Sequence, residues 1–132
     1  QSLRKEFGTA MMLITHDLGI VAEACDHVAI MYAGSVVEYA DVESLFNRPK
    51  HPYTRGLFGS IPSLDEEIDR LNPIKGLMPD PTDLPPGCRF HPRCPMAQDI
   101  CSQQTPIIST AESVHMVSCH IYEGLVPGYE EE

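Results

Sequence analysis

Leu13-Ile14-Thr15-His16-Asp17-Leu18 decides the reading of this chain, because an apolar run stops there on a histidine and on an aspartate that can cap a helix. Met11 to Ile14 are continuously apolar, the pattern of a strand covered on both faces, so a strand is expected over residues 10–15. Leu18, Val21, Ala22 and Cys25 recur at helical spacing behind Asp17, which predicts a helix over residues 17–25. Strand, turn and amphipathic helix in that order belong to an open α/β sheet. Ligands of such sheets bind beyond the carboxyl ends of parallel strands, where His16 falls.

Working outward, two strands are expected over residues 27–32 and 35–40, joined through Ala33-Gly34 as a hairpin. Asp41 can cap a short helix containing Val42, Leu45 and Phe46, which Pro49 stops. The first 48 residues hold no proline, and all 12 prolines fall at or after Pro49, so a boundary is expected there. Beyond it, His51-Pro52-Tyr53 predicts a proline-started helix with an aromatic anchor, running through Leu57 to about residue 60 and ended by Ile61-Pro62. Residues 73–86 carry too many prolines for a helix or a central strand and predict an extended connector. The tail after Gly124 is expected to be weakly ordered.

Composition narrows the function. A chain of 132 residues, 42% of them hydrophobic, can bury a core. No apolar run approaches the roughly 20 residues that span a bilayer, and nothing reads as a secretory signal. A formal net charge of -10 argues against DNA or RNA as a partner.

Cys88, Cys94, Cys101 and Cys119 form the second constellation, spaced C-x5-C-x6-C-x17-C among prolines and little apolar periodicity. So small a segment rarely offsets its own chain entropy, and a metal centre or disulfides would supply the missing stability. Zinc could use these thiolates or His91, His115 and His120, although structural zinc sites favour closer cysteine pairs. Disulfides suit a secreted domain, and no export signal is seen. An iron–sulfur cluster takes four thiolates at varied spacings. Spacing alone leaves zinc slightly ahead. Cys25 lies on the apolar helix face and reads as core; His27, opening a strand, reads as a satisfied or exposed histidine.

Leu13-Ile14-Thr15-His16-Asp17, continued through Asp26-His27-Val28-Ala29-Ile30-Met31-Tyr32-Ala33-Gly34-Ser35-Val36-Val37-Glu38, resembles the end of an ATP-binding cassette (ABC) ATPase domain. With His51-Pro52-Tyr53-Thr54-Arg55-Gly56-Leu57 and the Cys/Pro-rich tail, the chain resembles the ATP-binding subunits of oligopeptide and dipeptide importers. The resemblance implies a fold: an α/β, incomplete C-terminal portion of a P-loop NTPase sheet over residues 1–48, then a small, mostly irregular Cys/Pro-rich domain over 49–132. It also implies roles. His16 would be the switch histidine that contacts the γ-phosphate of ATP. Cys88, Cys94, Cys101 and Cys119 would be ligands of a [4Fe-4S] cluster, with zinc as the alternative. Given such a cluster, Arg89 and Arg93 lie between two of the ligands in sequence, where they are expected to offset its negative charge, and His91 and His115 are candidate donors to its sulfurs.

Absent motifs set the limits of that reading. No G-x-x-x-x-G-K-[ST] loop occurs, nor the family's glycine-rich signature, nor its paired Asp-Glu after an apolar strand. Gln1 to Gly8 read as the end of a helix, so the chain is expected to be a C-terminal fragment of an ATPase and to hydrolyse no ATP alone. Uncovered apolar strand surface and an unpaired edge are expected to follow. The resemblance implies ATP and Mg2+ as cofactors of the parent, and as partners a sister ATP-binding subunit, transmembrane permease subunits and, indirectly, an external peptide-binding protein, at the cytoplasmic face of the membrane. A different class of function is a regulatory or interaction module built on a structural zinc or iron–sulfur site.

Overall fold

A computed structural model describes residues 8–60, 74–112 and 114–124. The chain runs α1 (Leu18–Ala24), β1 (His27–Tyr32), β2 (Ser35–Asp41), α2 (Val42–Asn47), α3 (Pro52–Phe58), a 3-10 turn (His91–Arg93), α4 (Asp99–Gln103), β3 (Ile108–Glu112) and β4 (His115–Ser118). The four strands form one antiparallel sheet in the order β1-β2-β4-β3.

The hairpin of β1 and β2 forms as expected, and its turn explains its register. Ala33 and Gly34 both take positive φ, 46° and 79°, the signature of the primed two-residue turn whose twist matches the flanking strands. Val28 then faces Ala40, and Ile30 faces Glu38. Alternate residues of β1 point inward, so Val28, Ile30 and Tyr32 are buried while His27, Ala29 and Met31 are exposed.

Side-chain caps start α1 and α2. Asp17 accepts from the Ile20 N–H at 3.1 Å, and Asp41 accepts from the Ser44 N–H at 2.8 Å. Val21 of α1 and Leu45 of α2 are buried against the sheet. Phe46 stacks on Phe58 of α3 at 4.7 Å between ring centroids. Phe90 is the hub beneath the cysteine segment, with ring centroids 5.2 Å from Tyr32, 5.5 Å from Tyr53 and 5.8 Å from His51.

Three expectations need correction or completion. Residues 10–15 form no strand, and Met11, Met12, Leu13 and Ile14 are exposed. A strand exists only where a neighbour receives its backbone hydrogen bonds, and among the described residues none pairs with this run. The sheet itself is antiparallel throughout rather than the end of a parallel one, which makes the fold a mixed α/β arrangement. The cysteine segment also adds β3 and β4, and β4 pairs with β2 through Glu38↔Val117 and Tyr39↔Met116. One sheet therefore runs across the compositional change at Pro49. Residues 74–86 are extended and irregular apart from a tight turn at Asp80–Asp83, as their prolines dictate. Ile61-Pro62 and the tail beyond Gly124 lie outside the described residues.

Candidate functional site

Three segments, one of them helical, bring the four cysteines to one cavity. Gly87, at φ 68°, lets the chain turn so that the Cys88 N–H donates to the Cys101 carbonyl at 2.8 Å. A Cβ at Gly87 would stand 2.4 Å from that same carbonyl oxygen, so only glycine allows the approach. Pro92 starts the 3-10 turn between Cys88 and Cys94, and α4 carries Cys101. Cys119 follows β4, where its carbonyl accepts from the Tyr122 N–H at 3.0 Å. All four thiols are free and half-buried, and they line one apolar cavity together with His51, Phe90, Met96 and Ile121. The room between them is narrow, about 10 Å3.

Burial dominates the electrostatics here. It pushes the Cys88 thiol up, Cys94 to about 11 and Cys119 to about 12. Opposing that, backbone amide hydrogen bonding from Phe90, Met96 and Ile121 pulls the Cys88, Cys94 and Cys119 thiols back down. Such amides favour a thiolate. Without a cation, burial holds Cys88, Cys94 and Cys119 as thiols, whereas a bound cation would stabilise their thiolates. The donor chemistry thus suits a thiophilic metal centre. No group of three or more His, Cys, Asp or Glu side chains among the described residues is drawn closely enough together to hold a single metal ion as it stands.

The histidines take places that differ from those expected. His115 Nε2 donates to Glu38 Oε1 at 2.6 Å, a buried pair away from the thiol cavity. Glu38 also accepts from the backbone N–H groups of Lys50, at 2.7 Å, and His51, at 2.9 Å. His91 lies at the cavity, but its Nδ1 is engaged with the Cys88 carbonyl at 2.9 Å. His120 bridges Glu123 Oε2 and the Gln104 carbonyl, both at 2.9 Å. His51 is 1% exposed, and burial pushes its pKa down to about 4. Its Nδ1 accepts from the Tyr53 N–H at 3.0 Å, and its buried Nε2 has no protein partner among the described residues.

The two arginines do not face the thiols. Arg89 donates to the Ala33 carbonyl, closing the hairpin turn, and Arg93 donates to the Lys75 and Ile74 carbonyls, each at 3.1 Å. They pin the connector and the hairpin instead of the cavity. His16 is exposed, in a turn where the Asp17 N–H donates to Thr15 Oγ1 at 3.0 Å, and it is not part of the thiol cavity. His27 is exposed and stacks on Tyr39 at 5.8 Å, while Cys25 packs against the core. Sequence reasoning missed the buried roles of Glu38 and His51. The available signals were an acid inside the apolar run of β2 and a histidine at the position before a helix-starting proline.

A hairpin followed by a proline-started helix and a cysteine cavity defines the class, and comparison with known proteins makes it specific. Residues 37–101 match the family described as "Oligopeptide/dipeptide transporter, C-terminal region". That region of the chain belongs to this family. It is 54% identical over 123 residues, 93% of its length, to the oligopeptide transport ATP-binding protein AppD of Bacillus subtilis, covering 38% of that protein. It is 48% identical over 109 residues to a putative peptide import ATP-binding protein of Brucella abortus, covering 83% of this chain and 33% of the relative. The oligopeptide transport ATP-binding protein OppD of Salmonella typhimurium is 47% identical over 105 residues, 80% of this chain and 31% of the relative. The chain thus spans about a third of the length of these relatives. No described helix is long and apolar enough to cross a membrane.

Proposed function

We propose that this chain is the C-terminal part of the ATP-hydrolysing subunit of an ABC importer for peptides, with residues 1–48 closing the ATPase domain and 49–132 forming the importer-specific region. The observation that carries the proposal is 54% identity across 93% of the chain to a protein named for oligopeptide transport and ATP binding. ATP and Mg2+ would be used by the complete subunit, paired with a sister ATP-binding subunit beneath transmembrane permease subunits at the cytoplasmic face, with an external binding protein delivering the peptide. The chain by itself holds no phosphate-binding loop and would not turn over ATP.

In this reading His16 donates a hydrogen bond to the γ-phosphate and holds the attacking water in line, acting through position and electrostatics. Its exposed place beside the Asp17 cap leaves the imidazole open to a nucleotide held by other residues. Replacing it by alanine in the complete subunit should severely reduce ATP-driven peptide uptake while the subunit still assembles with its permease. Uptake at the unaltered rate would remove His16 from the mechanism.

The same reading gives Cys88, Cys94, Cys101 and Cys119 a [4Fe-4S] cluster. Their convergence on one apolar cavity supports it. When bound, such a cluster supplies four metal–thiolate crosslinks and, in principle, one-electron chemistry. The residues' part is to present thiolates from three separate segments and to exclude water from them. Zinc is the competing occupant, since it would use the same four thiolates. The thiol cavity also favours a second functional reading, a regulatory or interaction module whose folded state depends on metal or redox conditions. Permease binding that is unaffected by loss of the metal would exclude that second reading.

A further inference from the structure

We propose that His51 is a positioning residue for the thiol site, its Nε2–H reaching into the cavity to donate a hydrogen bond to sulfur of the metal–sulfur group held by Cys88, Cys94, Cys101 and Cys119. The inference rests on the iron–sulfur reading above and adds a fifth participating side chain to it.

Four observations converge. The ring lines the cavity wall alongside all four thiols. Its tautomer is fixed, because Nδ1 accepts from the Tyr53 N–H at 3.0 Å and the proton of a neutral imidazole must therefore sit on Nε2. That Nε2 is buried and no acceptor of the described residues takes its hydrogen. Leaving a buried donor without an acceptor is costly, so a fold that keeps one is expected to satisfy it with something not supplied by the chain. Finally, the ring is held from three sides: Glu38 accepts from the His51 backbone N–H at 2.9 Å, Pro52 fixes the following turn, and Phe90 packs against the ring. So much rigidity around an unused donor is the arrangement that outer hydrogen bonds to metal ligands require.

Other polar groups nearby do not fill this place. His91 and His120 also line the cavity, yet their hydrogen-bonding nitrogens are engaged with the Cys88 carbonyl and with Glu123 and Gln104. The second orphaned atom, Thr54 Oγ1, lies further along α3 and is not part of the cavity wall. His51 alone among these histidines combines a fixed proton with no protein acceptor.

Two substitutions separate its two nitrogens. Asparagine can reproduce the Nδ1 acceptor that caps α3 but places no N–H where Nε2–H stands, whereas glutamine reaches the Nε2 position and gives up the cap. The full chain and its His51→Asn and His51→Gln variants are reconstituted anaerobically with ferrous iron and sulfide. Iron content, visible absorption, midpoint potential and the rate of iron loss to a chelator are then read. His51→Asn should keep native circular dichroism, lose iron about tenfold faster, and show a more negative midpoint, since a hydrogen bond to sulfur stabilises the reduced cluster. His51→Gln should keep a midpoint near the unaltered one although its thermal stability falls. If the unaltered chain takes up the cluster and His51→Asn matches it in both iron loss and midpoint, the donor role is overturned and the cluster reading survives. If the unaltered chain takes up neither iron nor sulfide, both fail together.

Discussion

Glu38 on β2 and His115 on β4, 77 residues apart in sequence, meet at 2.6 Å inside the protein with almost no solvent contact. The same carboxylate accepts the N–H groups of Lys50 and His51, so one side chain ties the hairpin to the start of α3 and to the last strand. Cutting a buried pair of this kind leaves the remaining donors unsatisfied, at about 3–5 kcal/mol. Glu38→Ala should lower the urea midpoint accordingly, and should also loosen His51 against the thiol cavity. A variant as stable as the unaltered chain would mean that the carboxylate organises nothing.

Gly87 makes a sharper case. A methyl group there would stand 2.4 Å from the Cys101 carbonyl oxygen and 2.9 Å from the Ser102 carbonyl carbon, and backbone cannot swing aside as a side chain can. Gly87→Ala should break the bond between Cys88 N–H and the Cys101 carbonyl and separate two of the four thiols. The expected result is a chain with an intact hairpin that fails to retain metal, measured by iron or zinc content after gel filtration.

The hairpin turn offers a gain. Ala33 sits at φ 46°, a conformation in which a Cβ is strained and which asparagine or glycine adopts at lower cost. Ala33→Asn should stabilise the chain by about 0.5–1 kcal/mol, seen as a higher thermal midpoint, provided Arg89 keeps its bond to the carbonyl of residue 33.

Acid should act through His51. Burial lowers its pKa from an ordinary 6.5 to about 4, so between those values the unfolded chain binds a proton that the folded chain refuses. The stability tied to its neutrality is complete above pH 6.5 and is lost as pH falls toward 4, amounting to about 3 kcal/mol. Urea midpoints measured from pH 7 to pH 4 should fall more steeply for the unaltered chain than for His51→Asn. Parallel curves would show that the folded and unfolded chains protonate this imidazole alike.

What the sequence disclosed was mostly local. Asp17, Asp41 and Pro52 announce helix starts because a cap or a fixed φ acts within four residues, and Ala33-Gly34 announces a turn for the same reason. Residues 10–15 misled because apolar character is a strand's signature only when a partner strand lies beside it. β3 and β4 went unseen because Ile108–Glu112 has little apolar alternation, and β4 gains its place by pairing with β2 far back in the chain. The four cysteines were legible as a set. The polar frame around them was not, because the burial of Glu38 and His51 depends on Phe90, His115 and each other.

Chemical analysis of the anaerobically purified chain, iron and acid-labile sulfide determined together with zinc, tests the central assignment most directly. The account predicts about four irons and four sulfides per chain, lost together when Cys88, Cys94, Cys101 or Cys119 is replaced by serine. One zinc per chain with no sulfide, or free thiols with no metal at all, would contradict it.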